Sequence, residues 1–147
     1  MRQAEQIRYL VLAAQREGNR RLAAALLPLD LTPAQSEILR ILGDHNGLTV
    51  NGVGAMLVCD SGVNPSRLVD RLVQAGLVER TADANDRRRV RLTLTARGRA
   101  LEEGVRAIEN AIYDEIDRLP ASEELARALA ILVDGLPAGE ALKRRIG

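Results

Sequence analysis

VNPSRLVDRLVQAGLVERTADANDRRRVRLTLT, residues 63–95, decides how the chain reads. Asn64 followed by Pro65 is a helix start: a short amide side chain caps the first turn, and proline fits the first helical position, where a missing N–H costs nothing. Leu68, Val69, Leu72 and Val73 recur at helical spacing and face inward, and Gly76 is the natural stop. Two short strand-like runs follow, 77–81 and 89–94, around a polar loop, 82–88, that ends in an arginine run. In the second run Val90, Leu92 and Leu94 alternate with Arg91, Thr93 and Thr95, so one face is expected to be buried. A helix followed by a hairpin with a basic tip has the shape and charge to touch duplex DNA in two grooves at once.

Upstream, residues 4–27 read as a helix, with Ile7, Leu10, Val11 and Ala14 at helical spacing, a bend expected at Gly18-Asn19, and Pro28 as its end. Thr32-Pro33-Ala34-Gln35 opens a second helix, in which Thr32 caps and Gln35 completes a capping box. Its apolar side is Ile38, Leu39, Ile41 and Leu42, and 43–47 reads as a loop. Thr49 caps a short third helix running to Leu57, which Gly52 and Gly54 weaken by about 1 kcal/mol each relative to alanine. A turn at 58–63 leads into the helix at Asn64.

Downstream, Thr95 caps a long helix whose Leu101, Val105, Ile108, Ile112, Ile116 and Leu119 form one stripe, about 27 Å long at 1.5 Å per residue. Pro120 breaks it. Ser122 caps a last helix with Leu125, Leu129, Leu132, Val133 and Leu136, and 137–147 reads as a short basic tail. A lone chain has difficulty covering the stripes on its terminal helices. The simplest solution is that the first, fifth and sixth helices interlock with a second copy, since closed twofold dimers are the commonest assembly; the alternative is an intramolecular bundle.

Composition narrows the function classes. At 147 residues the chain fits one domain with an oligomerisation arm, and its core must be aliphatic, because there is no Phe or Trp and only Tyr9 and Tyr113. The formal charge is only +1, but from Arg67 to Arg99 nine Arg face Asp70, Glu79, Asp83 and Asp86, a local surplus of five. Lys143 is the only lysine. A GC-rich genome accounts for that bias, and the guanidinium fork also suits phosphates and base edges. With one Cys and one His, no internal disulfide and no cysteine/histidine zinc site is expected within a chain, and no cofactor is implied. The absence of a long apolar run or a signal-peptide core makes a cytoplasmic protein without membrane contact the expectation. There is no nucleophile–His–acid set and no phosphate-binding glycine loop, and Glu102, Glu103, Glu109, Asp114 and Glu115 read as solvated charges, so an enzyme is not expected.

LTPAQ at 31–35, SRLVDRLVQAGLVER at 66–80, DRRRV at 86–90 and LTARG at 94–98 together resemble the MarR family (multiple antibiotic resistance regulators) of winged-helix transcription factors. The resemblance has readable motifs from about Leu31 to Leu101 and extends over the whole chain in helix order and length. Two features depart from the family pattern: VCDSGVNPS, before the recognition helix, is one residue longer than usual, and Gly52 and Gly54 are unusual. The implied fold is mainly α with a small β-hairpin wing (α+β), a winged helix-turn-helix at 31–95 flanked by dimerisation helices at 1–30 and 96–147. The implied function is a dimeric, sequence-specific regulator, usually a repressor, that binds an inverted-repeat operator in double-stranded DNA and is released by a small molecule or another signal.

Candidate residues follow from the motifs. A helix in the major groove reads bases near its N-terminus. Arg67 is the candidate for guanine, because its fork matches N7 and O6, and the resemblance aligns it with a base-contacting arginine. Asn64 and Ser66 suit phosphate, or in the case of Asn64 simply the cap; Arg71 is a further contact, or the partner of Asp70, for which a structural role is favoured. In the wing, the resemblance implies that Asp86 braces Arg88 for the minor groove, with Arg87 and Arg89 on phosphates or one of them merely flanking the strand. Relatives often bind phenolic or aromatic effectors between the dimerisation helices and the winged domain. Tyr9 and Tyr113 are candidates to line such a cleft, although packing is the commoner role. Cys59 is a candidate redox sensor, against the commoner use of such a thiol as a small hydrophobe. His45 reads as a solvated loop residue. A winged-helix protein-interaction module is the rival class, but it would have a neutral wing and no arginine in its recognition helix.

Overall fold

A computed structural model describes residues 1–59 and 61–147; Asp60, inside the predicted turn at 58–63, lies outside the described residues. The chain forms α1 (Gln3–Leu26), a single 3-10 turn (Leu27–Leu29), α2 (Pro33–Asp44), α3 (Val50–Gly54), α4 (Pro65–Gln74), β1 (Val78–Ala82), β2 (Val90–Leu94), α5 (Ala96–Asp117), α6 (Ser122–Val133) and α7 (Pro137–Ile146). Among the described residues no helix is long and apolar enough to cross a membrane.

The helix starts lie where capping chemistry puts them. Thr32 Oγ1 accepts the Gln35 N–H at 3.2 Å, and Gln35 Oε1 accepts the Thr32 N–H at 2.9 Å, so the capping box is complete. Thr49 caps α3 through the Gly52 N–H, and Thr95 caps α5 through the Gly98 N–H. The end of α4 is a Schellman turn: the Leu77 N–H reaches the Leu72 carbonyl and the Gly76 N–H that of Val73, with Gly76 at φ +74°.

α2, α4 and the hairpin share one core. Ile38, Leu39, Leu42, Leu68, Val69, Leu72 and Leu92 are almost wholly buried, and Val105 of α5 closes it from the other side. β1 and β2 pair antiparallel from Val78↔Leu94 to Ala82↔Val90. Leu48, just before α3, bridges Leu92, so β2 is held on both edges. Gly98 sets the hairpin against α5, since a Cβ there would lie 1.9 Å from the Leu77 carbonyl oxygen.

Several expectations need correction. The predicted loop at 43–47 begins later, because Gly43 and Asp44 complete α2. α3 is one short turn ending at Gly54 rather than at Leu57, as two glycines in five residues would favour. Val90 is 40% exposed: it lies at the far end of the hairpin, where the strands have run past the core. Ser122 does not cap α6; the cap position is Ala121, in a left-handed conformation (φ 59°), with no side-chain hydrogen bond. The predicted basic tail is a helix, α7, whose Ala141 is buried.

Glu102 and Glu109 are not solvated charges. Arg40 of α2 donates to Glu102 Oε1 and to Glu109 Oε2, both at 2.7 Å, and Arg106 joins Glu102 (2.6 Å) to Asp44 (2.6 Å). Burial works against the charge on Arg40, but hydrogen bonds to Glu109 and Glu102 raise its pKa above the ordinary value. This network fastens α5, the helix with the long stripe, to the first helix of the helix-turn-helix.

Candidate DNA interface and effector cleft

The outward face of α4 is built by exclusion. Leu68, Val69 and Leu72 are spent on the core, which leaves Ser66, Arg67, Arg71 and Gln74 exposed. Arg67, Arg71 and Gln74, at spacings of i, i+4 and i+7, share one side of the helix. Asn64 is also exposed, but its Oδ1 accepts the Ser66 N–H at 2.8 Å, so the side chain is committed to the cap. Asp70 is structural, as favoured, but its partner is Arg80 of β1 rather than Arg71. That pair ties α4 to β1 and leaves the Arg71 guanidinium on the exposed face.

Asp86, Arg87, Arg88 and Arg89 all lie exposed in the loop joining β1 to β2. Asp86 holds the main chain of its neighbours: its Oδ1 accepts the Arg88 N–H and its carbonyl accepts the Arg89 N–H, each at 3.0 Å. The carboxylate thus shapes the turn from which Arg88 projects.

The stronger brace was not singled out from the sequence. Asp83 Oδ2 accepts from Arg91 Nε (3.0 Å) and Nη2 (2.8 Å), while Asp83 Oδ1 accepts the Asn85 N–H at 3.0 Å. Arg91 also donates to the Gly47 carbonyl at 2.9 Å, which anchors the wing to the segment before α3. The Asn85 N–H first, and then the Arg91 guanidinium, hold the Asp83 carboxyl below the usual carboxylate range. Both residues were visible in sequence as charges, but their pairing needs the hairpin register, which places Arg91 opposite Thr81, next to Asp83.

A cleft of about 510 Å³ lies where α1, α2, α5 and α7 meet. Leu22, Glu37, Cys59, Glu109, Tyr113 and Arg145 line it. Burial, and then the neighbouring Glu109, push the Tyr113 phenol above its ordinary pKa, so it remains a neutral hydroxyl. Tyr9 is elsewhere: it lines a separate groove on α1 with Leu12, Arg16 and Arg20, and the Arg8 guanidinium lies 5.2 Å from its ring centre. The two tyrosines are therefore not brought together within one chain. Cys59 is half-buried on the cleft wall, with its main-chain N–H on Glu37. His45 is not a free loop residue but the C-cap of α2, half-buried, with Nε2 3.3 Å from the Arg145 carbonyl.

The geometry has counterparts among known proteins. The MarR family model matches residues 29–89. The multiple antibiotic resistance protein MarR of Escherichia coli (strain K12) is 30% identical over 129 residues, 87% of this chain and 89% of that protein. The crystal structure of the S. aureus MepR–DNA complex superposes with a TM-score of 0.77 at 26% identity, covering 86% of this chain and 95% of that one. Bordetella bronchiseptica BpsR, whose DNA binding is regulated by 6-hydroxynicotinic acid, superposes with a TM-score of 0.77 at 25% identity, covering 92% of this chain and 98% of that one.

Proposed function

The chain belongs to the MarR family of transcriptional regulators, and from that premise we propose that it represses a nearby operon in the cytoplasm as a homodimer. Residues 31–95 meet the DNA, and residues 1–30 and 96–147 form the dimer. The observation that carries the reading is the joint exposure of Arg67 and Arg71 on α4 and of Arg87, Arg88 and Arg89 on the wing, all free of the core.

Each group takes a role suited to its place. Arg67, in the first turn of α4, reads guanine in the major groove. Arg71 and Ser66 hold phosphate, as do Arg87 and Arg89 on the wing. Arg88 enters the minor groove from the turn that Asp86 shapes, where a narrow A·T-rich groove concentrates negative potential. Asn64 contributes by fixing the start of the helix.

The second copy is called for by apolar surface. Ile7, Leu10, Ile116, Leu119, Leu125 and Leu132 are each nearly half exposed or more, on α1, the end of α5, the turn that follows it, and α6. Two copies related by a twofold axis place two recognition helices and two wings on an inverted repeat.

The cleft beside Tyr113 is the proposed effector site, by analogy with the aromatic acid that regulates BpsR. Its neutral phenol supplies a hydrogen bond, and Leu22 supplies an apolar wall. The test is a gel shift with the region upstream of the protein's own gene at two salt concentrations. A shift that weakens steeply with salt is expected; no shift at low salt would instead indicate a protein-interaction module.

A further inference from the structure

We infer that Glu37 and Arg145 are positioning residues for the recognition helix, and that α7 is the strap through which the end of α6 sets how α4 is presented to DNA. The inference rests on the DNA-binding reading above.

Among the described residues between Leu57 and Val63 there is no helix or strand to fix the segment that joins α3 to α4. After main-chain turns that end at Leu57, the Val58 and Cys59 N–H groups go to one side chain instead. Glu37, in the middle of α2, accepts the Val58 N–H on Oε1 at 2.8 Å and the Cys59 N–H on Oε2 at 2.9 Å. Both carboxylate oxygens are thus aimed at the chain that leads into Asn64. Such charge-assisted bonds are the stronger class, but a carboxylate only 10% exposed also needs a counter-charge. Arg145 of α7 supplies it, with Nη1 2.8 Å from Glu37 Oε1.

α7 grips the helix-turn-helix at two further places. Arg144 Nη1 donates to the Ala55 carbonyl at the end of α3 (3.3 Å), and the Arg145 carbonyl lies 3.3 Å from His45 at the end of α2. At its other end α7 is held tightly to α6. A Cβ on Gly139 would come within 2.1 Å of the Val133 carbonyl oxygen, so only glycine permits this corner. Lys143 Nζ closes it with Asp134 Oδ1 at 2.6 Å. A set of contacts therefore runs from α6, through Gly139 and α7, to Arg145, Glu37 and the main chain at Val58 and Cys59, in the segment that joins α3 to α4. A peripheral tail would be expected to lie on the surface; this one supplies the counter-ion of a nearly buried carboxylate, on a segment that aims a DNA-reading helix.

The experiment compares wild type, Glu37→Gln, Arg145→Ala and Arg145→Lys. Affinity is measured for a duplex selected from a random library by the wild-type protein and for a shuffled duplex, and amide exchange is followed at Val58 and Cys59. Arg145→Ala and Glu37→Gln are expected to speed exchange at both amides and to lower the preference for the selected duplex by about tenfold, the scale of one lost base contact. Affinity for the shuffled duplex stays the same, because no phosphate contact is removed. Arg145→Lys restores most of the preference, since it returns the charge. Unchanged exchange in both Arg145→Ala and Glu37→Gln overturns the strap, and faster exchange with unchanged preference overturns its positioning role. Equal losses on both duplexes without rescue by lysine also contradict it, because they report general destabilisation. If the wild-type protein selects no duplex, the DNA-binding reading fails, and with it the positioning role, while exchange at Val58 and Cys59 still decides the strap.

Discussion

α4 and α6 carry similar apolar stripes and meet opposite fates. α4 turns Leu68, Val69 and Leu72 into the core, and its other face is left polar and basic. α6 has Leu125, Leu129 and Leu132 at the same kind of spacing, yet among the described residues it contributes nothing to the core. The difference lies in what each helix has to pack on. α4 is clasped by α2, α3 and β1, whereas the main neighbour of α6 in its own chain is the short α7. An amphipathic pattern says that a face will be buried but not by which molecule.

Breaking that contrast gives the largest expected effect. Leu129→Glu with Leu132→Glu is expected to leave the secondary structure intact, to give a monomer in sedimentation, and to weaken operator binding by about a hundredfold or more, since the coupling of two half-sites is lost. A double variant that remains dimeric would return α6 to an intramolecular role. On α4, Leu72→Ala acts on the fold itself: a loss of about 3 kcal/mol in urea unfolding is expected for a fully buried leucine. Arg67→Ala leaves stability unchanged and relaxes the preference at particular base positions, by about 1–3 kcal/mol of discrimination. Competition binding with single-base operator variants measures it.

The wing sharpens the comparison further, because Arg87, Arg88 and Arg89 lie exposed, outside the core. Arg88→Ala is expected to weaken binding across all sequences and to lower the salt slope by about one; unchanged affinity at moderate salt would exclude the wing from the interface. The smallest effect concerns pH. Asp83 has a folded-state pKa below its unfolded value, so its contribution to wing order is fully present above the unfolded value, about 4. It is lost only as pH falls through the lower folded value. The Arg91 Nε–H resonance is expected to hold its position from pH 8 to about 4 and to move below that; movement already near pH 6 would contradict the brace.

How far the sequence reached depended on how local the chemistry was. Thr32 with Gln35, Asn64 with Pro65, Thr95, and Gly76 are signals within one turn, and all are seen in the fold. The exposure of Arg67, Arg71 and Arg87–Arg89 followed from which neighbours the core takes. The pairings that hold the site in place were not legible, because they are long-range. Glu37 reaches Val58 and Cys59 across 21 and 22 positions and meets Arg145 across 108, and Arg91 meets Gly47 across 44. α7 was hidden for a related reason. Its segment, PAGEALKRRI, has little apolar periodicity, and it folds back through one glycine contact and a few ion pairs rather than a stripe. Val58 and Cys59, in the stretch that departs from the family pattern, are held by one of these distant side chains.

The central claim is that two chains act together on one inverted repeat. Its most direct test is the stoichiometry and spacing dependence of the protein–operator complex, measured by sedimentation on a selected duplex and on the same duplex with about half a helical turn, roughly five base pairs, inserted between its half-sites. The account predicts two chains per duplex and loss of the complex on insertion, because the second recognition helix would then face the wrong side of the DNA. One chain per duplex, with affinity indifferent to the insertion, would contradict it.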